Sequence, residues 1–532
     1  MVGNGNNAWR TGPASSCAAL ALAAAAVAVG CANDRPVNVL LIVVDTLRAD
    51  HVGSYGPKAA TPNIDRLADR GVTFAHAYSH IPITGPSHSS LFTGLLPFEH
   101  GVLNNAQILD GRFRTLAQDL ANEGRSTAAV VSLGVLKRKY GFDAGFEIYG
   151  DRFGRDWMKN AAEVNEEIFA ILDGGFTEPY FLWAHYSDPH GPYAPPDLSY
   201  PKILVELNGQ SLGTVPANGR AHGGELVLPP GTSQLRFIDS TGERAQRYRF
   251  SFIRSDDPTI EIRWPDTWQA RSSRTGKTSR SGQLPANIEL VNPHPETRIA
   301  VFETMVQEVI NRAEIRRRYA LEVEYVDRKI GVLLDRMDDR GLLDETLIIF
   351  TSDHGEGLGD HGQIGHIKQL YDSLLHVPLI LSFPGRLPEG VVVDETVSLV
   401  DVPPTIAQLV GLPAPTGISG TSLLPLISGD TSSPPVFAAT YRPESDVDKL
   451  AIVARGHKYI HSVDDNGEWE ELYDLTADPQ ELNDLAPSAP PILAELRALL
   501  WARVEDSTAP SAVDAALTDE EKAQLEALGY VR

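Results

Sequence analysis

The stretch from Thr84 to Gly94 contains a residue that could act as a nucleophile. Thr84 precedes Gly85-Pro86 and a run of small polar and apolar residues. Since proline has its φ preset for the first turn of a helix, Thr84 is predicted to lie at a helix N-terminus, where free amide groups and the helix dipole favour a bound anion. A hydroxyl aimed at such a pocket is a candidate nucleophile if its pKa is lowered. The alternative is that Thr84 is an ordinary helix cap.

A divalent cation held by Asp45 and the pair Asp353-His354 would supply the missing activation, with the Thr84 hydroxyl as a further ligand. Such an ion lowers the pKa of an alcohol and neutralises an incoming anion. Two carboxylates, one hydroxyl and one imidazole favour Zn or Mn, and they also allow Ca or Mg. The sequence leaves open whether these residues bind one metal ion or two. An Asp-His pair is also common as a cap or a structural pair.

The elements that must position these residues are predicted to be strands of an α/β sheet with helices between them. The aliphatic and β-branched runs that predict buried strands are residues 37–45, 127–131, 180–185, 346–353 and 376–382. Three runs end in polar residues, namely Asp45, then His185 with Asp188 and His190, then Asp353-His354. In open α/β sheets the ligand site lies at the carboxyl ends of the strands. The sequence therefore predicts that these residues converge.

Composition and charge narrow the classes of function. The chain of 532 residues is 42% hydrophobic and is long enough for several domains. It has 46 Lys and Arg against 70 Asp and Glu, which gives a formal net charge of −24. This balance argues against nucleic acid as a main partner. An anion site in such a chain must rely on local metal, dipole and histidine contributions.

The N-terminus reads as a secretion signal. An apolar run from residue 18 to 29 is too short to span a bilayer stably and fits the core of a signal peptide. Ala28-Val29-Gly30-Cys31 resembles a bacterial lipobox, in which Cys31 is lipidated. We therefore expect a periplasmic or cell-surface protein bound to the membrane through a lipid anchor at Cys31, and the alternative is a plain cleaved signal. Cleavage before Cys31 leaves no cysteine for disulfides.

The α/β pattern is interrupted once. Residues 197–296 read as short alternating bursts with turn residues between them, which predicts an inserted antiparallel β-domain. Such an insertion could bind substrate or cell wall, or it could be a spacer. The predicted division is a signal peptide at 1–30, a catalytic domain at 36–196 and 297–440, the insertion at 197–296, and a small α+β subdomain at 441–532.

Five motifs in a fixed order resemble the sulfatases of the alkaline phosphatase superfamily. They are VVDTLRADHVGSYG, TGPSHSSLFTG, HYSDPHGPY, FTSDHGEGLGDHG and ELYDLTADPQELNDLA. The resemblance covers nearly all of residues 38–532 except the insertion. It implies an alkaline-phosphatase-like sheet sandwiched by helices, and a metal-dependent hydrolase of sulfate or phosphate esters, with an anionic ester of a glycan or lipid as substrate.

The resemblance also assigns roles to single residues. Asp45, Asp353 and His354 match metal-binding positions, Thr84 matches the nucleophile, His190 matches the histidine that contacts the sulfate group, and His366 lies near the substrate-contacting lysine. Asp188 and His361 are candidates for a second metal or a substrate contact. Any of these histidines could instead be a hydrogen-bonded structural residue.

Three departures from the family pattern affect the chemistry. Thr46 replaces the second Asp of the metal pair, and His88, kept here as a candidate catalytic residue, replaces an arginine. Thr84 stands where sulfatases carry the Cys or Ser that is oxidised to formylglycine. Since the Cβ of threonine carries a methyl group, the same oxidation cannot give an aldehyde. Related superfamily members use an unmodified threonine on a metal.

Three functions therefore stay open. The first is a metal-dependent ester hydrolase in which Thr84 attacks and His190 and His366 bind the anion or protonate the leaving group. The second is a transferase that passes a phospho group from Thr84 to an alcohol. The third is a lipid-anchored binding or scaffold protein with a degenerate site.

Overall fold

The computed structural model describes residues 37–154, 157–239, 247–272, 278–442, 445, 447–505, 512–518, 521–522 and 524–525. The predicted signal peptide at 1–30 and the predicted lipidation site at Cys31 lie outside these residues. Within the described ranges, no helix combines the length and the apolar character needed to cross a membrane.

The first part of the chain alternates strands with helices. Its strands are β1 (Asn38–Val44), β2 (Gly71–Tyr78), β3 (Gln107–Ile108), β4 (Ser126–Val130), β5 (Ile148–Gly150) and β6 (Tyr180–Tyr186). Its helices are α1 (Pro62–Asp69), α2 (Thr84–Thr93), α3 (Pro97–His100), α4 (Leu116–Asn122) and α5 (Ala161–Asp173). Strands β1 and β6 are buried at every residue, which is why both read as continuous apolar runs. Capping boxes start α4 at Thr115 and α5 at Asn160.

The insertion consists of two five-stranded antiparallel sheets. Its strands are β7 (Lys202–Leu207), β8 (Gln210–Pro216), β9 (Asn218–Leu228), β10 (Gly231–Asp239), β11 (Arg247–Ser255), β12 (Glu261–Arg263), β13 (Gln269–Ser272), β14 (Thr278–Gln283), β15 (Ala286–Asn292) and β16 (Arg298–Glu308). Alternate residues of these strands, such as Phe237 and Phe250, pack into a core of their own. Strand β16 pairs with β9 and β11 through Gln307, so the antiparallel region continues beyond the predicted boundary at residue 296.

The second part of the catalytic domain follows the insertion. It contains α6 (Arg312–Asp338), β17 (Thr346–Thr351), β18 (Gly357–Leu358), β19 (Ile364–Gly365), α7 (Asp372–Leu375), β20 (His376–Val377), β21 (Leu379–Ser382), β22 (Val391–Ser398), α8 (Val402–Leu409) and α9 (Leu424–Ile427). Helix α6 begins at Arg312, because the side chain of Asn311 caps it by accepting from the amide of Glu314.

The C-terminal part is a four-stranded antiparallel sheet with a helix. It contains β23 (Val436–Thr440), β24 (Asp448–Ala454), β25 (His457–Asp464), β26 (Gly467–Asp474), α10 (Pro491–Glu505) and the short β27 (Val513–Asp514), which pairs with β3. Since β23 pairs with β24 along its whole length, this sheet begins at Val436 and not at the predicted residue 441.

The central sheet has nine strands and a helical layer on each face. The strand order is β20-β2-β21-β17-β1-β6-β4-β5, with β22 on β2. Its middle is parallel, while β21 runs antiparallel to β17 and β2, so the sheet is mixed. One face packs against α1, α5 and α6, and the other against α2, α4 and α8.

The register of the parallel strands determines where the site lies. Val43 of β1 is level with Thr351 of β17 on one side and with His185 of β6 on the other. Because these strands run in the same direction, the residues that follow them emerge at one edge of the sheet.

Candidate active site and metal centre

Asp45, Asp353 and His354 meet at the carboxyl ends of β1 and β17. One ligand atom from each lies within 4.8 Å of the others, and all three side chains are fully buried. Oxygen and imidazole donors at this separation could hold one divalent ion. The predicted convergence of these three residues is present in the structure.

Helix α2 brings Thr84 to this cluster. The helix begins at Thr84, and every residue from Thr84 to Thr93 is buried. Ser87 Oγ donates a 2.7 Å hydrogen bond to the carbonyl of Asp353, so the first turn of α2 is attached to the end of β17. The Thr84 hydroxyl lies close enough to the Asp45 carboxyl to lower its pKa, against the larger effect of burial. The hydroxyl therefore faces the metal-ligand cluster from a helix N-terminus.

A cation would stabilise the two buried carboxyls in their charged form. Burial, and then the charge of Asp353, raise the pKa of Asp45 well above its ordinary value. Burial raises the pKa of Asp353 to about 7. Two carboxylates removed from water repel each other unless a positive charge lies between them. The nearby His88 does not supply it, because burial lowers its pKa to about 3 and leaves the ring neutral.

The tautomer of His354 also fits a metal. Its Nδ1 lies 3.0 Å from the carbonyl of Gly355, so Nδ1 carries the proton and donates. The lone pair of Nε2 then faces Asp353 Oδ2 at 3.5 Å. Neither Nε2 of His354 nor Oδ2 of Asp353 has a hydrogen-bond partner among the residues that the structure describes. Two acceptors directed at each other in a buried space are the arrangement that a bound cation would satisfy.

The side chain of Thr46, which stands where the resemblance places a second metal-binding Asp, is not directed to the metal-ligand cluster. Its Oγ1 donates a 2.7 Å hydrogen bond to the carbonyl of Asp45, and its amide donates to Asp353 Oδ1 at 3.2 Å. The residue has a left-handed backbone, with φ 59°. Thr46 therefore contributes backbone positioning, and its hydroxyl is already engaged.

A second pair of imidazoles lies beside the cluster. His88 Nδ1 donates to the carbonyl of Thr84 at 2.8 Å, and the same nitrogen lies 3.6 Å from Asp353 Oδ2. His185, at the end of β6, has Nε2 3.7 Å from Asp45 Oδ2 and Nδ1 2.8 Å from Ser132 Oγ. The ring centroids of His88 and His185 are 4.9 Å apart. Sequence reasoning did not assign a role to His185, although its position at a strand end was the available signal.

His190 and His366 lie on the other side of His354. The ring centroid of His366 is 4.7 Å from that of His354 and 5.1 Å from that of His190. Burial lowers the pKa of His190 to about 3 and that of His366 well below its ordinary value, so both rings are neutral at neutral pH. A bound anion would raise both values.

Glu356 is a buried acid that sequence reasoning missed. Its Oε1 lies 3.4 Å from His366 Nδ1, and burial raises its pKa to about 7. The signal was present in the motif itself, because Glu356 follows His354 by two residues. A carboxyl in this place can orient the His366 ring.

Asp188 and His361 do not join the metal-ligand cluster. Asp188 Oδ1 accepts from the amide of Ala161 at 3.2 Å, at the first turn of α5. His361 stacks on Tyr371 with a centroid distance of 3.7 Å, and its Nε2 lies 3.2 Å from the carbonyl of Gln480. Both side chains are placed by contacts with other elements of the fold.

A buried hydroxyl lies beside paired carboxylates at the carboxyl ends of a central α/β sheet, an arrangement that suits a hydrolase of anionic esters. The chain belongs to the sulfatase family, whose model matches residues 37–412. A second family model, described as the C-terminal part of N-sulphoglucosamine sulphohydrolase, matches residues 359–509.

Similar proteins agree with this assignment over most of the chain. An N-acetylglucosamine-6-O-sulfatase of Bacteroides thetaiotaomicron is 26% identical over 520 residues, covering 88% of this chain and 86% of the relative. A choline-sulfatase of Rhizobium meliloti is 27% identical over 475 residues, covering 84% and 82%. A solved structure of a protein in complex with its substrate D-glucosamine-2-N,6-O-disulfate has a TM-score of 0.61 at 21% identity, covering 89% of this chain and 99% of that one.

Proposed function

We propose that this protein hydrolyses sulfate esters by nucleophilic attack of the Thr84 hydroxyl, with a divalent metal held by Asp45, Asp353 and His354. The observation that carries the proposal is the meeting of these four side chains at the start of α2 and the ends of two parallel strands. Sulfate is favoured over phosphate because the chain belongs to the sulfatase family and is similar to a sugar sulfatase along most of its length.

Asp45, Asp353, His354 and the Thr84 hydroxyl are the proposed metal ligands. The imidazole of His354 favours Zn or Mn over Ca or Mg, since nitrogen donors suit borderline metals. When bound, the metal supplies positive charge that lowers the pKa of the Thr84 hydroxyl and polarises the ester. Burial lowers the pKa of both His88 and His185, so their neutral rings add no positive charge and the metal would be the main cationic group beside a bound anion.

Thr84 attacks in the proposed reaction because it is the hydroxyl presented to this cluster from a helix N-terminus. As the Thr84 oxygen attacks sulfur, its hydroxyl proton passes to water, the bond between sulfur and the alcohol oxygen breaks, and a sulfo-threonine ester forms. Water then cleaves that ester, which restores the Thr84 hydroxyl and frees sulfate. The positive end of the α2 dipole lies beside the proposed anion position and would stabilise its charge, whereas the amides of Gly85 and Ser87 already donate to Asn105 and to Ile83. The formylglycine cycle of other family members has no place here, because threonine cannot form an aldehyde at Cβ.

His190 and His366 are placed to receive the leaving alcohol. Both are buried next to His354, and His366 is oriented by Glu356 at 3.4 Å. An arriving anion raises the pKa of a nearby imidazole. Substrate binding would therefore favour protonation of His190 or His366. The proton then passes to the alcohol oxygen as the ester bond breaks.

Assays of the metal-loaded protein on matched 4-nitrophenyl sulfate and 4-nitrophenyl phosphate test the proposal. We expect sulfate turnover that Thr84→Ala abolishes and chelation removes. Sulfate turnover that survives Thr84→Ala would show that another group is the nucleophile. Faster turnover of the phosphate than of the sulfate would favour the phosphate-ester function that a threonine nucleophile also suits.

We further propose that the protein is exported and lipid-anchored at Cys31, on the basis of the apolar run and the lipobox-like residues before it. Metabolic labelling with a radioactive fatty acid should mark the wild type and not the Cys31→Ala variant. Equal labelling of both proteins would refute the anchor.

A further inference from the structure

A cavity of about 610 Å³ opens beside the proposed leaving-group histidines. His190, Glu356 and His366 line its inner end. This volume lies within the range typical of small-molecule sites, roughly 300–1,000 Å³. Since the inner end contains the groups that would face the ester, the rest of the cavity is the space for the alcohol portion of the substrate.

One wall of this cavity comes from the insertion. Asn218 of β9, Arg249 of β11 and Gln307 of β16 all line it. Arg249 and Gln307 are directly paired across the two antiparallel strands, so their side chains share one face of the sheet. The neighbouring Phe250 and Val306 are buried in the core on the opposite face.

The register of the sheet is shifted at the same place. Pairing of β11 with β16 is irregular next to Phe250, and pairing of β16 with β9 is irregular between Met305 and Gln307. Shifts of this kind re-aim side chains and are frequent beside active sites. Here they adjoin the residues that line the cavity.

The insertion is packed directly against the loop that carries His190. A Cβ added to Gly219 of β9 would lie 2.6 Å from Pro192 Cβ, so the glycine leaves room for the proline ring to pack against β9. Glu308 at the end of β16 is paired with Arg318 of α6 at 2.6 Å. A spacer would not need this contact with the catalytic loop.

The charges of the cavity indicate the kind of alcohol it takes. Of its carboxylates, Glu308 is paired with Arg318 and Glu356 lies beside His366. Arg249 on the insertion and Lys368 on the catalytic domain bring further positive charge to the cavity. Three basic side chains, those of Arg249, Arg318 and Lys368, line the cavity against two acidic ones. This balance, in a chain of net charge −24, favours a ligand with its own negative charge.

We propose that the insertion is the specificity-determining wall of the substrate pocket. The alcohol portion that this pocket takes is a sugar with a second anionic group, a carboxylate or a second sulfate, which Arg249 contacts. Asn218 and Gln307 would bind sugar hydroxyls, and Tyr193 would cover a ring face. This inference rests on the proposed ester hydrolase, because it places the scissile ester at His190 and His366.

Binding to the metal-loaded Thr84→Ala protein tests the wall without requiring turnover. The probes are glucosamine 6-sulfate and two disaccharides, in which the same sugar is linked to a uronate or to neutral glucose. Isothermal titration is carried out with Arg249→Ala and Arg249→Lys added to the Thr84→Ala protein. The matched control is Arg263→Ala, because Arg263 lies on the same insertion, is exposed and is paired with Glu261 away from the cavity.

We expect the uronate disaccharide to bind more tightly than the neutral one, and Arg249→Ala to weaken it by about tenfold or more, the usual effect of losing a charged hydrogen bond. Binding of the monosaccharide should stay within about twofold of its original affinity, and Arg249→Lys should retain part of the preference. Equal affinity for the two disaccharides, or an equal effect of Arg249→Ala and Arg263→Ala, would overturn the inference. A protein that binds the uronate disaccharide in this way but turns over no sulfate ester would instead overturn the proposed hydrolysis.

Discussion

The two halves of the candidate site are built in different ways. The metal-ligand half comes from the ends of β1 and β17 and from α2, and Asp45, Thr84 and Asp353 are fully buried there. The pocket half comes from the loop around His190, the segment around His366 and the insertion. Rigid strands and a buried helix suit chemistry that tolerates little displacement, whereas loops and an inserted domain can differ in shape without disturbing it.

This comparison separates activity from selectivity. Changes in the metal-ligand half should affect all ester substrates alike, together with metal binding. Changes on the insertion side of the pocket half, such as Arg249→Ala, should affect only the choice among substrates. The variants below test the metal-ligand half, from the largest expected effect to the smallest.

Thr84→Ala should have the largest effect. Removing the nucleophile should lower kcat/KM by at least roughly 10⁴-fold on every ester, since nucleophile deletions in other hydrolases cost this much or more. Thr84→Ser keeps the hydroxyl and is the matched control, with expected activity within about tenfold of the wild type. Metal content measured by mass spectrometry should stay near one ion per chain in Thr84→Ala, because two carboxylates and His354 remain. Loss of the metal in that variant would show that the hydroxyl is an essential ligand.

Asp353→Asn should remove the stabilisation that metal gives. A ligand at 100 times its dissociation constant stabilises the folded state by about 2.7 kcal/mol, and that increment should disappear. The metal-free variant should be at least as stable as the metal-free wild type, because a buried carboxylate that repels Asp45 has been neutralised. Thermal unfolding with and without Zn²⁺ measures both effects.

Asp188→Asn is the control for that experiment, because Asp188 lies at the first turn of α5 and outside the metal-ligand cluster. It should keep the full stabilisation by Zn²⁺. Loss of that stabilisation in Asp188→Asn would instead support the second metal that the sequence suggested.

The pH dependence of the chelator-treated protein follows from the same carboxyls. Burial raises the pKa of Asp353 to about 7, above its ordinary value near 3.8, so the folded state keeps a proton that the unfolded chain has lost. The free energy of unfolding of the metal-free protein should therefore fall as the pH rises from about 4 to about 7, by a few kcal/mol. Stabilisation by added metal should grow over the same range, because the ligands must lose their protons to bind it. Denaturant titrations at several pH values check both trends, and a metal-free stability that rises over this range would contradict the raised pKa.

His185→Gln should have the smallest effect of the four. His185 Nε2 lies 3.7 Å from Asp45 Oδ2, so the ring packs beside that carboxyl from the side of β6. Loss of a residue that orients a ligand usually costs about 10–100-fold in metal affinity or activity. A competition titration with a fluorescent zinc chelator measures the change. His461→Gln, in the C-terminal sheet, should leave the affinity unchanged.

Much of the scaffold could be predicted from local patterns. The buried runs of β1, β6 and β17 lie where their apolar sequences indicate, since a strand covered on both faces has almost no polar residues. Strand β2 was missed because its sequence contains polar residues such as His76. The end of the insertion was placed too early, because β16 is distinguished only by its pairing with β9 and β11.

The sequence by itself determined the chemistry that this protein can and cannot do. The ordered motifs, the acids after the strands and a threonine in place of an oxidisable residue are all local facts, and the last excludes formylglycine whatever the fold. The sequence also predicted that polar residues at the strand ends converge, and only the tertiary structure decided which of them do. His185 lies beside the metal-ligand cluster, whereas Asp188 and His361 do not join it. The insertion lines a wall of the pocket. These outcomes depend on sheet register and on packing between segments far apart in the chain, which local sequence patterns suggest but do not fix.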